Sequence, residues 1–237
     1  MSPNALIVKD IRQKHYNNSN KIKNLQGCLV AFDFDGTLTT SKHRSSWQSV
    51  HEYFCTWESH GKVALEEFLE GKITYKEFCE ADAYPWINRS EEEYQQALSS
   101  IELREGVLEL IDFLKKNDCK LAIISMGLLD IVKRTAQKYK FDYWIANDLI
   151  RKNNKLTGEV IINVDMYQKG KILTSIREMY EIPTNRTIAI GDASADIDMF
   201  STAHVSFTID PSSDLVSKSA QFVCKTQNLK EIISYFQ

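Results

Sequence analysis

Four aspartates, a serine and a lysine stand where short apolar runs end. Asp33-Phe34-Asp35-Gly36-Thr37 closes the run that begins at Cys28. Ser125-Met126-Gly127 closes KLAIIS, and Gly191-Asp192 continues through Ala193-Ser194-Ala195-Asp196 after TIAI. Lys169 stands just ahead of a helical stretch that leads into the last of these runs. Strand alternation puts the carboxylates of Asp33 and Asp35 on one side, with Phe34 on the other. If the runs are neighbouring strands, four carboxylates meet one ammonium. Carboxylates so close raise one another's pKa and repel a phosphate, and a divalent cation resolves both problems. Hard oxygen ligands suit Mg²⁺, and none of the five histidines falls in these motifs, which argues against zinc. Taken singly, each residue is ordinary: a strand-to-turn DxD, a helix cap, a loop hydroxyl, a solvated lysine. Together and in this order they argue for catalysis.

Other chemistries fit worse. No GxSxG accompanies a Ser/His/Asp order, and no GxxxxGK[ST] is present. Cys28, Cys55, Cys79, Cys119 and Cys224 are odd in number and contain no CxxC pair, so neither a disulfide framework nor a zinc site is expected.

The elements that must position these residues alternate in type. Cys28–Phe34 reads as a buried strand, Val107–Lys116 as a helix, Lys120–Ser125 as a strand and Leu129–Tyr139 as a helix. Tyr143–Ala146 reads as a strand followed by a hairpin around Asn153-Asn154. Lys171–Tyr180 reads as a helix and Thr187–Gly191 as a strand. Val205–Ile209 and Gln221–Cys224 are further strands, with a closing helix at Leu229–Phe236. Strands alternating with helices predict a parallel sheet covered on both faces, with ligands at the carboxyl ends of its strands. Residues 41–103 interrupt the alternation with helical spacing, aromatics and acids, and are expected to form a helical insertion over that edge.

The chain has 237 residues, 43% hydrophobic and 26% charged, with 9 Gly and 4 Pro. Collagen-like, low-complexity and disordered classes are excluded. No apolar run approaches the roughly 18 to 20 residues that span a bilayer, and the N-terminus lacks the apolar centre of a secretory signal. A cytoplasmic protein, monomeric or homodimeric and without a membrane partner, is the expectation. The formal net charge of −3 is uneven. Residues 1–27 carry an excess of four positive charges, and 41–103 set twelve Asp/Glu against six Lys/Arg. Five basic residues without interleaved aromatics make a weak case for nucleic acid; a solvated, mobile arm is expected for 1–27.

DFDGT, a hydroxyl ending the next strand, a lysine and GDxxxD, in this order, resemble the haloacid-dehalogenase (HAD) superfamily. YQKGKILTSI, IAIGDASADIDMF and ANDLIRKNNKLTGEV are similar to its phosphoserine-phosphatase-like branch. The resemblance covers about residues 28–237. It implies an α/β fold: a Rossmann-like doubly wound core formed by 28–40 and 104–237, with a small helical cap over 41–103 after the first strand. It implies an Mg²⁺-dependent phosphomonoester hydrolase. Asp33 would be the nucleophile that forms an aspartyl-phosphate, and Asp35 the general acid and then base. Ser125 would hydrogen-bond a phosphoryl oxygen, and Lys169 would neutralise charge. Asp33, Asp192 and the backbone carbonyl of Asp35 would hold the metal, and Asp196 would hold a water of the metal or orient Lys169. Amides around Gly36 and Gly127, with Thr37 and Met126 beside them, would face the phosphate.

The cap departs from that branch. Where phosphoserine phosphatases carry a Glu for the substrate amine, ungapped counting places Lys42; where they carry an Arg for the carboxylate, it places Asp82. Ala195 replaces the usual Asn, and Ser125-Met126-Gly127 replaces SGG. An unpaired substrate carboxylate against Asp82 is disfavoured, so a small phosphorylated metabolite other than phosphoserine is expected. Trp47, Trp57 and Trp86 supply either the cap's own core or a pocket for a bulky leaving group, and His43, Arg44, Trp47 and His51 are placed to line the entrance. A phosphomutase or phosphotransferase of the same fold, and a weakly active binding protein, remain alternatives.

Overall fold

A computed structural model describes residues 24–40, 45–224 and 227–236. The core is a seven-stranded sheet: β1 Leu29–Phe32, β2 Lys120–Leu128, β3 Tyr143–Lys152, β4 Lys155–Ile161, β5 Thr187–Gly191, β6 Val205–Ile209 and β7 Phe222–Cys224. Its order is β4-β3-β2-β1-β5-β6-β7, and every neighbouring pair is parallel except β3 with β4. All four residues of β1 are buried, as the centre of a sheet covered on both faces requires. Alternation sends Val30 and Phe32 into one apolar cluster, with Ile123 and Ile190. Leu29 and Ala31 go into the other, with Ile124 and Ala189.

The helices follow in chain order. Between β1 and β2 run α1 Ser46–Tyr53, a π-helical turn Trp57–Gly61, α2 Lys62–Leu69, α3 Tyr75–Ala83, a 3₁₀ turn Tyr84–Trp86, α4 Glu91–Ser99 and α5 Val107–Lys116. Then come α6 Leu129–Lys138, α7 Lys169–Met179, α8 Ile197–Thr202 and α9 Asp214–Ser219. Both α3 and α4 begin with capping boxes, Thr74 with Glu77 and Ser90 with Glu93. The chain leaves and re-enters the sheet through adjacent segments. Thr40 N–H donates to the Glu102 carbonyl at 3.0 Å and Arg104 N–H to that of Leu38 at 2.8 Å.

The 46–99 helices also grip the β3–β4 hairpin. Leu156 exchanges backbone bonds with Asn88 and Arg89, and Arg151 pairs with Glu91, Asp130 and Asp148. Asn153 and Asn154 turn that hairpin at φ 52° and 58°, the left-handed pair that a two-residue type I′ turn demands.

Some expected boundaries move. β2 runs three residues past Ser125, with a register irregularity before Leu128. β3 runs to Lys152 because β4 pairs with it. The closing element Leu229–Tyr235 is 3₁₀ rather than α, with Asn228 as its cap. Residues 1–23 of the expected arm lie outside the described residues. Leu25 is buried and its carbonyl accepts from the Cys119 thiol. No helix among the described residues is long and apolar enough to cross a membrane.

Candidate active site

Because β1, β2 and β5 are parallel, their carboxyl ends share an edge, and the residues after each strand meet there. Asp33 follows β1, Ser125 lies within β2, Asp192 follows β5, and Lys169 opens α7. All four are buried. Lys169 Nζ donates to Asp33 Oδ1 at 2.5 Å and to Asp196 Oδ1 at 2.7 Å. Oxygens of Asp33, Asp192 and Asp196 lie within 4.8 Å of one another. Burial raises the Asp33 pKa to about 7, with Asp196 and Asp35 adding to the rise and Lys169 opposing it. Asp192 is also raised by burial and by its two carboxylate neighbours. Burial pulls Lys169 down, but the carboxylates of Asp196 and Asp33 outweigh it and leave the ammonium firmly charged. The cluster holds more negative charge than one ammonium can offset, so the donor set fits a hard cation such as Mg²⁺.

The hydrogen bonds around the cluster decide which carboxylate oxygens remain. Asp196 Oδ2 accepts from the N–H groups of Asp192 and Ala193, both at 3.0 Å, while Oδ1 holds Lys169. Of the two expected roles, this geometry suits the orienting one. Thr37 Oγ donates to Asp192 Oδ1 at 2.8 Å, leaving Oδ2 to the site. A Cβ on Gly36 would lie 2.4 Å from that Oδ2, so glycine is required by the approach of Asp192 as well as by its φ of 79°. Arg104, buried, holds the carbonyls of Gly36 (2.5 Å) and Thr37 (3.2 Å).

Asp35 is not among the three clustered aspartates. Ser46 Oγ donates to its Oδ2 at 2.7 Å and accepts from Leu128 N–H at 2.9 Å. Its Oδ1 is buried and has no partner among the described residues. Burial lifts its pKa to about 6, against the opposing bonds from Ser46. An orphaned buried carboxyl oxygen is costly. A Cβ on Gly127 would meet Asp35 Oδ2 at 2.3 Å, so Gly127 permits this approach. The backbone of β2 is held from the insertion and from β3: Met126 carbonyl accepts from Trp47 Nε1 (3.1 Å), Tyr75 hydroxyl (3.3 Å) and, on β3, Asn147 Nδ2 (3.1 Å).

Several expectations need correction. The Gly36 amide donates to Thr39 Oγ and the Gly127 amide to Ser125 Oγ, so neither faces an open phosphate position. Thr37 spends its hydroxyl on Asp192. Trp47 stacks on Trp86 at 5.8 Å with its indole N–H on Met126, which makes it packing rather than pocket wall. Asp82 is buried, with Oδ1 3.1 Å from His51 Nε2, and His51 Nδ1 is 2.8 Å from Thr56 Oγ. A carboxylate closed off in this pair is not presented to a substrate, and His51 does not line an entrance. Lys42, His43 and Arg44 lie outside the described residues. Ser46, Thr39, Arg104 and Asn147 lie outside the sequence motifs, and Tyr75 stands in the sequence only as one of the aromatics of the inserted block. Ser46 alone carried a signal, the Ser45-Ser46 pair at a helix start.

A strand-end pocket of aspartates with one buried lysine on a doubly wound sheet defines a class, and the comparisons agree. The sequence model of the haloacid dehalogenase-like hydrolases matches residues 30–201, and the chain belongs to that family. It is a phosphatase, and its relatives carry that name. The phosphoserine phosphatase of Methanocaldococcus jannaschii is 29% identical over 214 residues, 88% of this chain and 97% of that protein. That of Saccharomyces cerevisiae is 28% identical over 216 residues, 86% of this chain and 66% of that protein. A solved phospho-aspartyl intermediate analogue of phosphoserine phosphatase superposes with a TM-score of 0.79 at 28% identity, covering 90% of this chain and 100% of the other. A substrate-bound phosphoserine phosphatase complex gives the same TM-score at 27% identity, covering 90% and 99%.

Proposed function

We propose that this chain is an Mg²⁺-dependent phosphomonoester hydrolase that works through an aspartyl-phosphate on Asp33, with residues 41–103 as a cap over the site. The observation that carries the reading is the division of labour between two aspartates two residues apart. Asp33 is held by Lys169 beside Asp192 and Asp196, whereas among the described residues Asp35 is held by Ser46, with its other oxygen unpartnered. Asp33, Asp192 and the Asp35 carbonyl would hold Mg²⁺, which supplies Lewis-acid neutralisation of the phosphoryl charge.

In the first half-reaction an Asp33 carboxylate oxygen attacks phosphorus and the bond from phosphorus to the leaving oxygen breaks. Asp35 Oδ1 gives that oxygen its proton. In the second, water attacks phosphorus, Asp35 takes its proton, and the bond from Asp33 breaks to release inorganic phosphate. Lys169 offsets negative charge on Asp33 and the phosphoryl group throughout. Ser125 accepts from Gly127 and keeps its own O–H for a phosphoryl oxygen.

For the substrate, the acidic charge at Asp82 does not weigh against phosphoserine. The curated relatives are named phosphoserine phosphatases, and Asp82 is paired inside the helical insertion rather than set against a carboxylate. A small phosphomonoester is the substrate class, with phosphoserine the first member to test. Initial rates over amino-acid, sugar, nucleotide and lipid-headgroup phosphates should show release of free phosphate that chelation abolishes and Mg²⁺ restores. Asp33→Asn should lower it by about a thousandfold or more with the fold intact. Retained turnover in Asp33→Asn would refute the mechanism, and phosphate arriving on a second substrate would make the enzyme a transferase.

A further inference from the structure

Asp198 lies two residues beyond Asp196 and has no part in the steps above. We infer that it is the positioning residue for Lys169, acting through the main chain at the start of α7; this rests on the role proposed for Lys169. The first N–H groups of a helix have no partner within it, and the residue before α7, Gln168, supplies none from its side chain. The cap comes instead from α8. Asp198 Oδ2 accepts from the Gly170 N–H at 2.8 Å, while Oδ1 accepts from Met199 N–H at 2.9 Å.

Gly170 has no side chain to keep the two elements apart. A Cβ there would lie 2.6 Å from both the Asp198 carbonyl oxygen and Thr202 Oγ. Those two atoms are themselves joined, since Thr202 Oγ donates to the Asp198 carbonyl at 2.7 Å.

The stretch Ser194–Thr202 therefore holds Lys169 at both ends. Asp196 takes its ammonium, and Asp198 takes the peptide N–H of the next residue. A lysine side chain has four rotatable bonds and loses much rotamer freedom when fixed. Its ammonium reaches Asp33 reproducibly only if its Cα is also fixed. Asp196 alone would steer the tip of a tether whose root could shift. With both aspartates on one short stretch of chain, root and tip are referred to the same frame, the frame that also carries Asp192. Misplacement of a catalytic group by about 1 Å costs up to about a hundredfold in rate.

The test uses p-nitrophenyl phosphate with Mg²⁺ and the full chain. Asp198→Ala should lower kcat by about tenfold or more with KM within about twofold of the parent. Asp198→Asn, whose amide oxygen still accepts from Gly170, should restore kcat to within about threefold. A merely structural cap would lower the melting temperature without splitting kcat from KM in this way. If Asp198→Ala does not fold, Gly170→Ala carries the test, because its methyl drives the two main chains apart and should produce the same loss of kcat. Lys169→Met is the control for the underlying role. Full activity in Lys169→Met removes that role and the inference with it. Loss in Lys169→Met beside parental kcat in Asp198→Ala or Gly170→Ala, or an Asp198→Asn as impaired as Asp198→Ala, overturns the inference alone.

Discussion

Trp47 shows how one side chain serves packing and placement together. Its ring stacks on Trp86 while its N–H reaches the Met126 carbonyl. Trp47→Phe keeps an aromatic ring and removes only the donor. Met126 retains Tyr75 and Asn147 as donors, so the expected cost is about 1 kcal/mol. Trp47→Ala also opens a cavity and should cost about 3–5 kcal/mol. Urea midpoints of the two variants check this; equal losses would show that the hydrogen bond, not the ring, dominates. At this scale the acidic motifs were legible because their types and order are unusual. The partners were not, because Ser46, Arg104 and Asn147 act through contacts that span 11, 68 and 17 positions in sequence. Asp82 misled for the same reason. Its charge was visible, but its pairing with His51, 31 residues away, was not.

Among the elements, the capping boxes of α3 and α4 give the sharpest expectation. Backbone N–H groups of Thr74 and Ser90 hold the Glu77 and Glu93 pKa values below the ordinary 4.5. A folded pKa that is depressed means the unfolded chain binds protons first as pH falls. The stabilisation is therefore present above about pH 4.5 and is lost as pH drops through the folded values. The double variant Glu77→Gln/Glu93→Gln should be less stable than the parent at pH 7, and the gap should close in acid. Denaturation midpoints between pH 7 and pH 3 measure this, and a gap independent of pH would remove the charge from the explanation. Strand and helix types were readable from period because the central strands β1 and β5 are short and fully buried, and α5 matches its expected bounds. Where boundaries moved, tertiary pairing decided. β3 is longer because β4 lies against it, and β2 is longer because its end is fastened from the insertion.

At the scale of the whole molecule, folding gathers three carboxylates that the unfolded chain keeps far apart, so a cation that binds them binds the folded form alone. Mg²⁺ should then raise thermal stability by mass action, about 2.7 kcal/mol at a hundred times its dissociation constant. Asp192→Asn should remove most of that increment without removing the fold. Melting curves with and without Mg²⁺ are the check, and an Mg²⁺ shift preserved in Asp192→Asn would place the ion elsewhere. The fastening of the inserted helices to the sheet has a different consequence. It ends on a peptide oxygen at residue 126, and any amino acid offers that oxygen. The Met126 side chain, half-buried beside it, is thus relieved of holding the two layers together. Position 126 is then a site where natural variation or laboratory evolution can change the packing against both apolar clusters without unfastening the insertion.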